Sequence, residues 1–318
     1  MRTSLRQGLP AAVALVAATT LLTTQAQPQA HAQSRLTVNW DYATAAATTY
    51  NDPGTPPPGA DDFSCLPTAA HPYPVILVNG TFANQDENWQ AASPLLANHG
   101  YCVFTFNYGG TGDFEQTGDI AASAGQLAAF VTQVLAATGA AKVDLVGHSQ
   151  GGMMPRYYLR FLGGAQFVNM LVALAPSNHG TTLDGINTLI AAMGAAGLPV
   201  GDLSPLCAAC TEQEAGSPFL TNLNAGGDTV SGVSYTVIET ENDEVVTPYT
   251  SAFLTGPDVT NITVQDQCPL DETDHLELSN DPVALADVLN ALDPAQPVAV
   301  PCLVVLPLTG PVGPVPPF

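Results

Sequence analysis

One pentapeptide in the chain has the pattern of a sharp turn that presents a serine hydroxyl. Residues 147–151 read Gly-His-Ser-Gln-Gly, which matches G-x-S-x-G, a strand-to-helix turn in which flanking glycines permit a strained backbone. An apolar run, residues 143–146, precedes the turn, and residues with helical spacing follow it. This context predicts that Ser149 is a nucleophile. The alternative is an ordinary Gly/Ser loop at the end of a strand.

A serine hydroxyl attacks only when a base takes its proton, so a histidine must lie beside Ser149 in the folded chain. His275 is the predicted base, because it follows the last predicted strand and the order along such chains is nucleophile, acid, histidine. His148 adjoins the nucleophile but should point away from its hydroxyl. His71 and His99 stand before strands, at the opposite edge of the sheet.

The carboxylate that orients the histidine is expected in the loop after the preceding strand, residues 239–248. Asp243 is the predicted acid, because this short carboxylate stands just before an apolar Val-Val pair and should be turned inward. Glu241 and Glu244 are the alternatives. Each would otherwise be an exposed carboxylate of a solvated loop.

When a serine attacks a carbonyl carbon, the negative oxygen that forms needs two N–H donors. The backbone N–H of Gln150, at the start of the helix after the nucleophile, is the first predicted donor. The second is expected in residues 79–83, the loop after the first strand. Thr81 is favoured, through its amide and also its hydroxyl, and Phe82 is the alternative. The alternative interpretation is that residues 80–81 form an ordinary turn that donates no hydrogen bond to the negative oxygen.

Further side chains are candidates for contact with a substrate. His179 follows the fourth predicted strand at the same edge as the nucleophile, so we expect it to line the pocket. Phe82 and Met153 are apolar candidates, as are Leu183 and Leu198. These apolar residues could equally belong to the core.

The elements that must position these residues begin with short apolar runs typical of buried parallel strands. The runs are residues 75–78, 102–106, 143–146, 168–174, 235–238 and 262–264. Helical spacing falls between them, notably in residues 89–98, before Gly100, and residues 116–138, before Gly139. Alternating strands and helices predict an α/β fold with a mostly parallel central sheet and helices on both faces. Sites in such sheets lie at the carboxyl ends of the strands.

The length and composition of the chain indicate one catalytic domain, residues 33–318, after an export signal. Residues 1–32 combine two arginines, an apolar run and a small-residue cleavage pattern, which is typical of a secretory signal peptide. Residues 182–230 are long for a simple loop and are predicted to form a cap or lid. Residues 294–318 hold eight prolines and are expected to lie extended over the surface. No later run reaches the roughly 18 apolar residues of a membrane span, so we expect a secreted, soluble protein.

Six cysteines, all after residue 32, fit an oxidising compartment and three disulfide bonds. The favoured pairs are Cys65 with Cys102, Cys207 with Cys210, and Cys268 with Cys302. A C-x-x-C pair can also bind zinc or perform redox chemistry, but residues 207–210 have no second such pair and no histidine nearby. We therefore predict no metal site.

The charge of the chain is strongly acidic, with 28 Asp and Glu against six Lys and Arg and a net charge of −22. Contacts with nucleic-acid phosphates need Lys and Arg. This balance argues against nucleic acid as a partner.

Taken together, these segments resemble the secreted lipases of the class 2 type and the related fungal lipase B group. The resemblance extends over about residues 73–292. It is carried by Asn-Gly-Thr at 79–81, Gly-His-Ser-Gln-Gly-Gly at 147–152, Leu-Ala-Pro at 174–176 with His-Gly-Thr at 179–181, Asp-Glu-Val-Val at 243–246 and Asp-His at 274–275. The chain departs from the family in residues 182–230, with their C-x-x-C pair, and in its proline-rich tail.

The resemblance implies an α/β-hydrolase that cleaves carboxylic esters, such as triacylglycerols, through an acyl-enzyme on Ser149. It implies no cofactor, and the sequence has no D-x-D-x-D-G loop for calcium. The expected partner is an ester or lipid substrate, at a lipid–water or polyester surface, and the expected state is a monomer. The rivals are a cutinase-like polyester hydrolase with an open cleft and a secreted binding protein without turnover. The same acyl-enzyme would also permit transfer of the acyl group to an alcohol instead of water, and the sequence does not exclude this reaction.

Overall fold

The computed structural model describes Met1 and residues 35–49, 52–110, 115–195 and 207–318. Apart from Met1, the predicted signal peptide, residues 1–32, lies outside the described residues, and so does Leu198. The described elements all belong to one unit, Arg35–Phe318.

Six parallel strands form the central sheet of this unit. They are β1 (Val75–Val78), β2 (Val103–Thr105), β3 (Val143–His148), β4 (Val168–Leu174), β5 (Ser234–Glu239) and β6 (Val259–Thr263). Their order across the sheet is β2-β1-β3-β4-β5-β6, and each neighbouring pair is parallel. The prediction of an α/β fold with a parallel sheet is therefore confirmed.

Helices cover both faces of the sheet. They are α1 (Tyr42–Thr49), α2 (Gln85–Asn88), α3 (Ala92–Asn98), α4 (Ile120–Thr138), α5 (Gln150–Phe161), α6 (Leu183–Ala195), α7 (Ala208–Glu212), α8 (Pro218–Asn224), α9 (Val264–Gln267) and α10 (Pro282–Leu292). Residues of α4 and α5 pack in one core cluster, and residues of α3 and α10 pack in a second.

The strand β1 shows why a continuous apolar run suits the middle of the sheet. All four of its residues are buried. Ile76 and Val78 belong to the first core cluster, whereas Val75 and Leu77 belong to the second. Successive side chains of a strand point to opposite faces, so a strand covered on both sides needs apolar residues at every position.

Two helix boundaries differ from the sequence prediction. The helix expected at residues 89–98 is divided into α2 and α3, and Trp89 between them is fully buried. The helix expected from residue 116 begins at Ile120, because Asp119 accepts a hydrogen bond from Ala122 N at 2.7 Å and acts as the N-cap. Its end, before Gly139 in the left-handed conformation, agrees with the prediction.

Helix α4 also has the length and apolar composition of a membrane span. In this fold Ile120, Leu127, Val131 and Val134 are fully buried in the first core cluster. These residues form the face of α4 that packs against the core, and 33% of the apolar stretch as a whole is buried.

Residues 182–230 contain α6, α7 and α8, with residues 196–206 outside the described ranges. The tail, expected to be extended, contains a short antiparallel pair, Val305–Leu306 with Gly310–Pro311. Gly310 has a φ of 75°, which suits the tight turn before it. The structure brings together the cysteine pairs 65–102, 207–210 and 268–302 as disulfide bonds.

Candidate active site

The predicted nucleophile Ser149 stands in a strained turn between β3 and α5. Its φ is 55° and its ψ is −124°, a combination that residues other than glycine rarely adopt. A Cβ atom on Gly147 would collide with the carbonyl group of Gly151, and one on Gly151 would collide with the carbonyl oxygen of Val78. The turn therefore packs so closely against itself and β1 that only glycine fits at both positions.

Ser149, His275 and Asp243 form one hydrogen-bonded chain. His275 Nε2 lies 3.0 Å from Ser149 Oγ, and His275 Nδ1 lies 2.8 Å from Asp243 Oδ2. They follow β3, β6 and β5 respectively, so the loops after three strands meet at the carboxyl edge of the sheet. Ser149 is 4% exposed, and the side chains of His275 and Asp243 have no exposed surface.

Asp243 is fixed by the backbone of its own loop. Its Oδ1 accepts hydrogen bonds from Val245 N at 2.8 Å and Val246 N at 2.7 Å, which leaves Oδ2 for His275. Burial favours the protonated carboxyl, but the charge and hydrogen bond of His275 outweigh burial, and the pKa of Asp243 lies below its ordinary value. The backbone bonds explain why the short side chain at this position is turned inward.

The two alternative acids take other positions. Glu241 is exposed. Glu244 Oε2 lies 3.3 Å from the backbone nitrogen of His275, so Glu244 contacts the main chain of the histidine and not its ring.

Two opposing effects act on the pKa of the His275 imidazole. Burial opposes its protonated form, and the negative charge of Asp243 together with its hydrogen bond more than offsets burial, so the pKa of His275 lies above its ordinary value. A base with a raised pKa binds the serine proton more firmly.

The other histidines that the structure describes contact other groups. His148 Nε2 donates to the carbonyl oxygen of His275 at 2.9 Å. Burial, followed by the nearby charge of His275, lowers the pKa of His148 to about 3, so it remains neutral. The ring of His71 packs on Tyr101, and His99 Nε2 donates to Phe318 O at 2.9 Å.

His179, predicted to line the pocket, is held by two hydrogen bonds. Its Nδ1 lies 2.9 Å from Ser251 O, and its Nε2 lies 3.0 Å from Asp228 Oδ1. Asp228 also lies 3.6 Å from the buried Arg156. These contacts tie the loop after β4 to residues on both sides of β5, Asp228 before it and Ser251 after it.

The loop after β1 lies directly beside the nucleophile. A Cβ atom on Gly80 would be 3.2 Å from Ser149 Cβ. Thr81 donates its hydroxyl hydrogen to Gln150 Oε1 at 2.7 Å, so the two predicted oxyanion residues are joined through their side chains. Phe82 is buried and has a φ of 68°. Asn88 Oδ1 accepts from Gly80 N at 2.8 Å and holds the loop in place.

The apolar pocket candidates are packed into the protein interior. Phe82 is 2% exposed and Met153 has no exposed surface, and both belong to the first core cluster. The side chain of Leu183 and all of Leu198 are outside the described parts of the chain. Two cavities, of about 260 and 190 Å³, are lined by residues distant in sequence from Ser149, including Trp40 with Phe318 and His71 with His99. Within the described ranges, no three His, Cys, Asp or Glu side chains are grouped as metal ligands.

Glu239, the last residue of β5, is a buried carboxyl that the sequence analysis missed. Burial, then the charge of Asp243, raises the pKa of Glu239 well above its usual range. Its Oε1 accepts a hydrogen bond from Thr240 N at 2.9 Å, and its Oε2 is buried with no hydrogen-bond partner among the described residues. The sequence signal that could have identified Glu239 is its position at the end of a buried strand, just before the loop that carries Asp243.

Gln213, which directly follows α7, was also missed. Its Nε2 lies 2.9 Å from Thr81 Oγ1 and 3.3 Å from Gln150 Oε1. No local pattern marks this residue, because its contacts join segments 132 and 63 residues away along the chain.

A parallel sheet with a strained serine turn after one strand, and an acid and a histidine after two later strands, defines the α/β-hydrolase class. Within that class, residues 72–286 match the family model described as Lipase (class 2), which covers more than half of the chain. The chain belongs to this family, as its sequence motifs indicated.

Curated relatives are similar over part of the chain. A triacylglycerol lipase of Pseudarthrobacter phenanthrenivorans is 46% identical over 94 residues, which is 28% of this chain and 28% of the relative. A triacylglycerol lipase of Burkholderia plantarii is 46% identical over 94 residues, 28% of this chain and 25% of the relative. The matched region thus spans about a quarter of the length of these relatives.

Solved structures share the fold at low sequence identity. Aspergillus fumigatus lipase B aligns with a TM-score of 0.55 and 20% identity, over 80% of this chain and 61% of that chain. The mature form of the Bacillus licheniformis lipase BlEst2 aligns with a TM-score of 0.51 and 17% identity, over 76% of this chain and 96% of that chain. At these identities the similarity concerns the fold alone.

Proposed function

We propose that this protein hydrolyses carboxylic esters through an acyl-enzyme on Ser149. The hydrogen-bonded chain from Ser149 to His275 to Asp243 is the observation that carries the proposal. In the first step Ser149 Oγ attacks the ester carbonyl carbon while His275 Nε2 takes the hydroxyl proton. His275 then gives this proton to the departing alcohol, which leaves the acyl group on Ser149.

Water completes the reaction at the same atoms. His275 takes a proton from water, the resulting oxygen attacks the acyl carbon, and Ser149 leaves with the proton that His275 returns. Asp243 keeps Nδ1 of His275 protonated and stabilises the cation formed in each half-reaction. The amides of Thr81 and Gln150 are the proposed donors to the negative oxygen of the tetrahedral intermediates.

Acylglycerols are the substrates that we propose. The support is membership of the class 2 lipase family and the curated names of the matched relatives, which are triacylglycerol lipases. The rival, a polyester hydrolase, needs a shallow open cleft, whereas Ser149 is only 4% exposed. This burial favours a site that opens to admit a flexible chain.

Residues 182–230 are the proposed cap over the site. Their Gln213 side chain touches both Thr81 and Gln150, and the backbone oxygen of Gln213 accepts from Thr181 N at 2.9 Å. We also propose export directed by residues 1–32, which the three disulfide bonds support because such bonds persist in oxidising compartments.

Hydrolysis of p-nitrophenyl esters from acetate to palmitate, beside an emulsified triglyceride, tests this function. We expect activity on long chains and on the triglyceride, and a loss of at least about 10³-fold in kcat for Ser149→Ala. Activity on short soluble esters alone would favour an esterase or polyester hydrolase. Activity that survives in Ser149→Ala would refute the proposed nucleophile, and failure of a serine-directed phosphonate to label the wild type would favour a binding protein.

A further inference from the structure

Gln213 brings a side chain from residues 182–230 into contact with both proposed oxyanion residues. It is 2% exposed, whereas Thr81 and Gln150 are 3% and 0% exposed. Such burial of three polar side chains is costly unless their hydrogen bonds are satisfied. Bonds within the group satisfy Thr81 Oγ1, Gln150 Oε1 and Gln213 Nε2, whereas Gln150 Nε2 is buried with no hydrogen-bond partner among the described residues.

The three side chains close a ring of hydrogen bonds. The Thr81 hydroxyl donates to Gln150 Oε1 at 2.7 Å, and Gln213 Nε2 lies within 2.9 Å of Thr81 Oγ1 and 3.3 Å of Gln150 Oε1. Because the NH₂ group of Gln213 occupies one side of the Thr81 oxygen, the hydroxyl hydrogen is directed to Gln150. The ring thereby links the loop after β1 to the first residue of α5.

Gln213 is itself held on its other side. Ser177 Oγ donates to Gln213 Oε1 at 2.7 Å, and Gln213 Nε2 also lies 3.1 Å from Ala209 O. The preceding residue, Glu212, accepts from Ile120 N at 2.8 Å, at the start of α4. The Cys207–Cys210 disulfide closes the turn where α7 begins. The amide group of Gln213 is thus presented from a segment fixed at several points.

We propose that Gln213 is a positioning residue for the oxyanion site. It sets the distance between Thr81 and Gln150, whose backbone amides must both reach one oxygen atom of the tetrahedral intermediate. When the Thr81 hydroxyl turns toward the oxygen of the tetrahedral intermediate, it leaves Gln150 Oε1. Gln213 Nε2 still donates to Gln150 Oε1, so this buried acceptor keeps a hydrogen bond. The inference rests on the proposed ester hydrolysis and deepens it.

This role predicts a specific kinetic signature. Misplacement of catalytic donors by about 1 Å can cost about 100-fold in rate. We expect Gln213→Met, which keeps the length but removes the amide, to lower kcat by roughly 10- to 100-fold and to change KM by less than about threefold. A residue that only stabilises the cap would not lower kcat selectively.

The experiment measures kcat, KM and melting temperature with p-nitrophenyl butyrate for the full chain. Gln213→Glu is the second variant, since it keeps the size and an acceptor for Ser177 but loses the donor to Thr81. Ser217→Ala is the matched control within the same segment: it removes the N-cap of α8, where Ser217 Oγ accepts from Leu220 N at 3.2 Å, and the bond from Ser217 Oγ to Glu212 O at 2.6 Å, but it keeps the amide group of Gln213. We expect this control to lower the melting temperature while kcat stays within about twofold.

A double-mutant cycle tests whether Gln213 affects kcat through the Thr81 hydroxyl. Thr81→Val removes the hydroxyl that Gln213 contacts, so the combined variant should lose clearly less than the product of the two single losses. Multiplicative losses, or a wild-type kcat in both Gln213 variants, would refute the role of Gln213 while leaving the proposed function intact. A wild type with no Ser149-dependent esterase activity would instead refute the proposed function, and this role with it.

Discussion

The backbone of Ser149 is held in a conformation that costs about 1–3 kcal/mol for a residue other than glycine. Local hydrogen bonds offset this cost: Ser149 N donates to Leu174 O at 2.9 Å, and Gly152 N donates to Ser149 O at 2.9 Å. The first bond ties the turn to β4, and the second starts α5. The strained serine is thus stabilised by the elements on either side of it.

At the residue scale, we predict an acid limb in the pH profile that reports on His275. Protonated His275 cannot accept the serine proton, so kcat/KM should rise with pH as His275 loses its proton. Because the pKa of His275 is raised, the midpoint should lie above that of an ordinary histidine. The measurement is kcat/KM for p-nitrophenyl butyrate between about pH 5 and about pH 9.

Asp243→Asn is the control for this profile. It removes the charge that raises the pKa of His275, so the midpoint should fall, and kcat should drop by roughly 10⁴-fold. A profile unchanged in midpoint would show that another group controls the acid limb.

At the element scale, the start of α4 is where the proposed cap meets the main fold. The Asp119 side chain accepts a hydrogen bond from Ala122 N and is the N-cap of this helix. Glu212, which belongs to residues 182–230, accepts from Ile120 N, the first amide of the helix. Acceptors at a helix N-terminus satisfy free N–H groups and face the positive end of the helix dipole. Two carboxylates thus share one helix end, and burial, then the charge of Asp119, raises the pKa of Glu212.

We predict that Asp119→Ala lowers the free energy of unfolding by about 1 kcal/mol, because Ala122 N loses its acceptor. For a domain of this size the melting temperature should fall by roughly 2 °C. Thermal denaturation followed by circular dichroism is the measurement. Asp119→Asn keeps the acceptor without the charge and should retain most of the stability; an equal loss in both variants would assign the effect to charge.

At the scale of the whole molecule, the chain buries several carboxyl groups inside a strongly acidic protein. Burial raises the pKa of Glu87 and that of Asp144 to about 7 each. The pKa values of Glu277 and Asp281 are raised well above their usual range for the same reason. The folded state therefore holds protons that the unfolded chain releases in weak acid.

This difference predicts that stability falls as pH rises. Between the pKa of a carboxyl in the unfolded chain and its raised value in the fold, the folded state binds more protons, so each pH increase favours unfolding. We expect the melting temperature to decline from about pH 4.5 to about pH 7, and the net charge of −22 acts in the same direction.

Glu87→Gln is the matched variant for this prediction. Glu87 accepts a hydrogen bond from the Tyr42 hydroxyl, and Gln keeps an acceptor there but does not titrate. The decline with pH should be shallower in this variant. A melting temperature that rises over this range in the wild type would contradict the prediction.

By itself, the sequence determined the α/β fold and the segments from which the site is built. Apolar runs such as residues 75–78 and 168–174 are local signals, because a strand buried on both faces needs apolar residues throughout. The G-x-S-x-G turn is local as well, since backbone contacts exclude any side chain at Gly147 and Gly151. The order of Ser149, Asp243 and His275 along the chain then predicted which loops meet.

Only the tertiary structure decided the contacts that join distant segments. The ring through Thr81, Gln150 and Gln213 and the bond from His148 to the main chain of His275 have no signature in local sequence. The division of the helix around Trp89 and the paired strands in the tail likewise depend on packing. Such features arise because a hydrogen bond or buried surface depends on spatial proximity, which the chain acquires only when the sheet has brought its loops together.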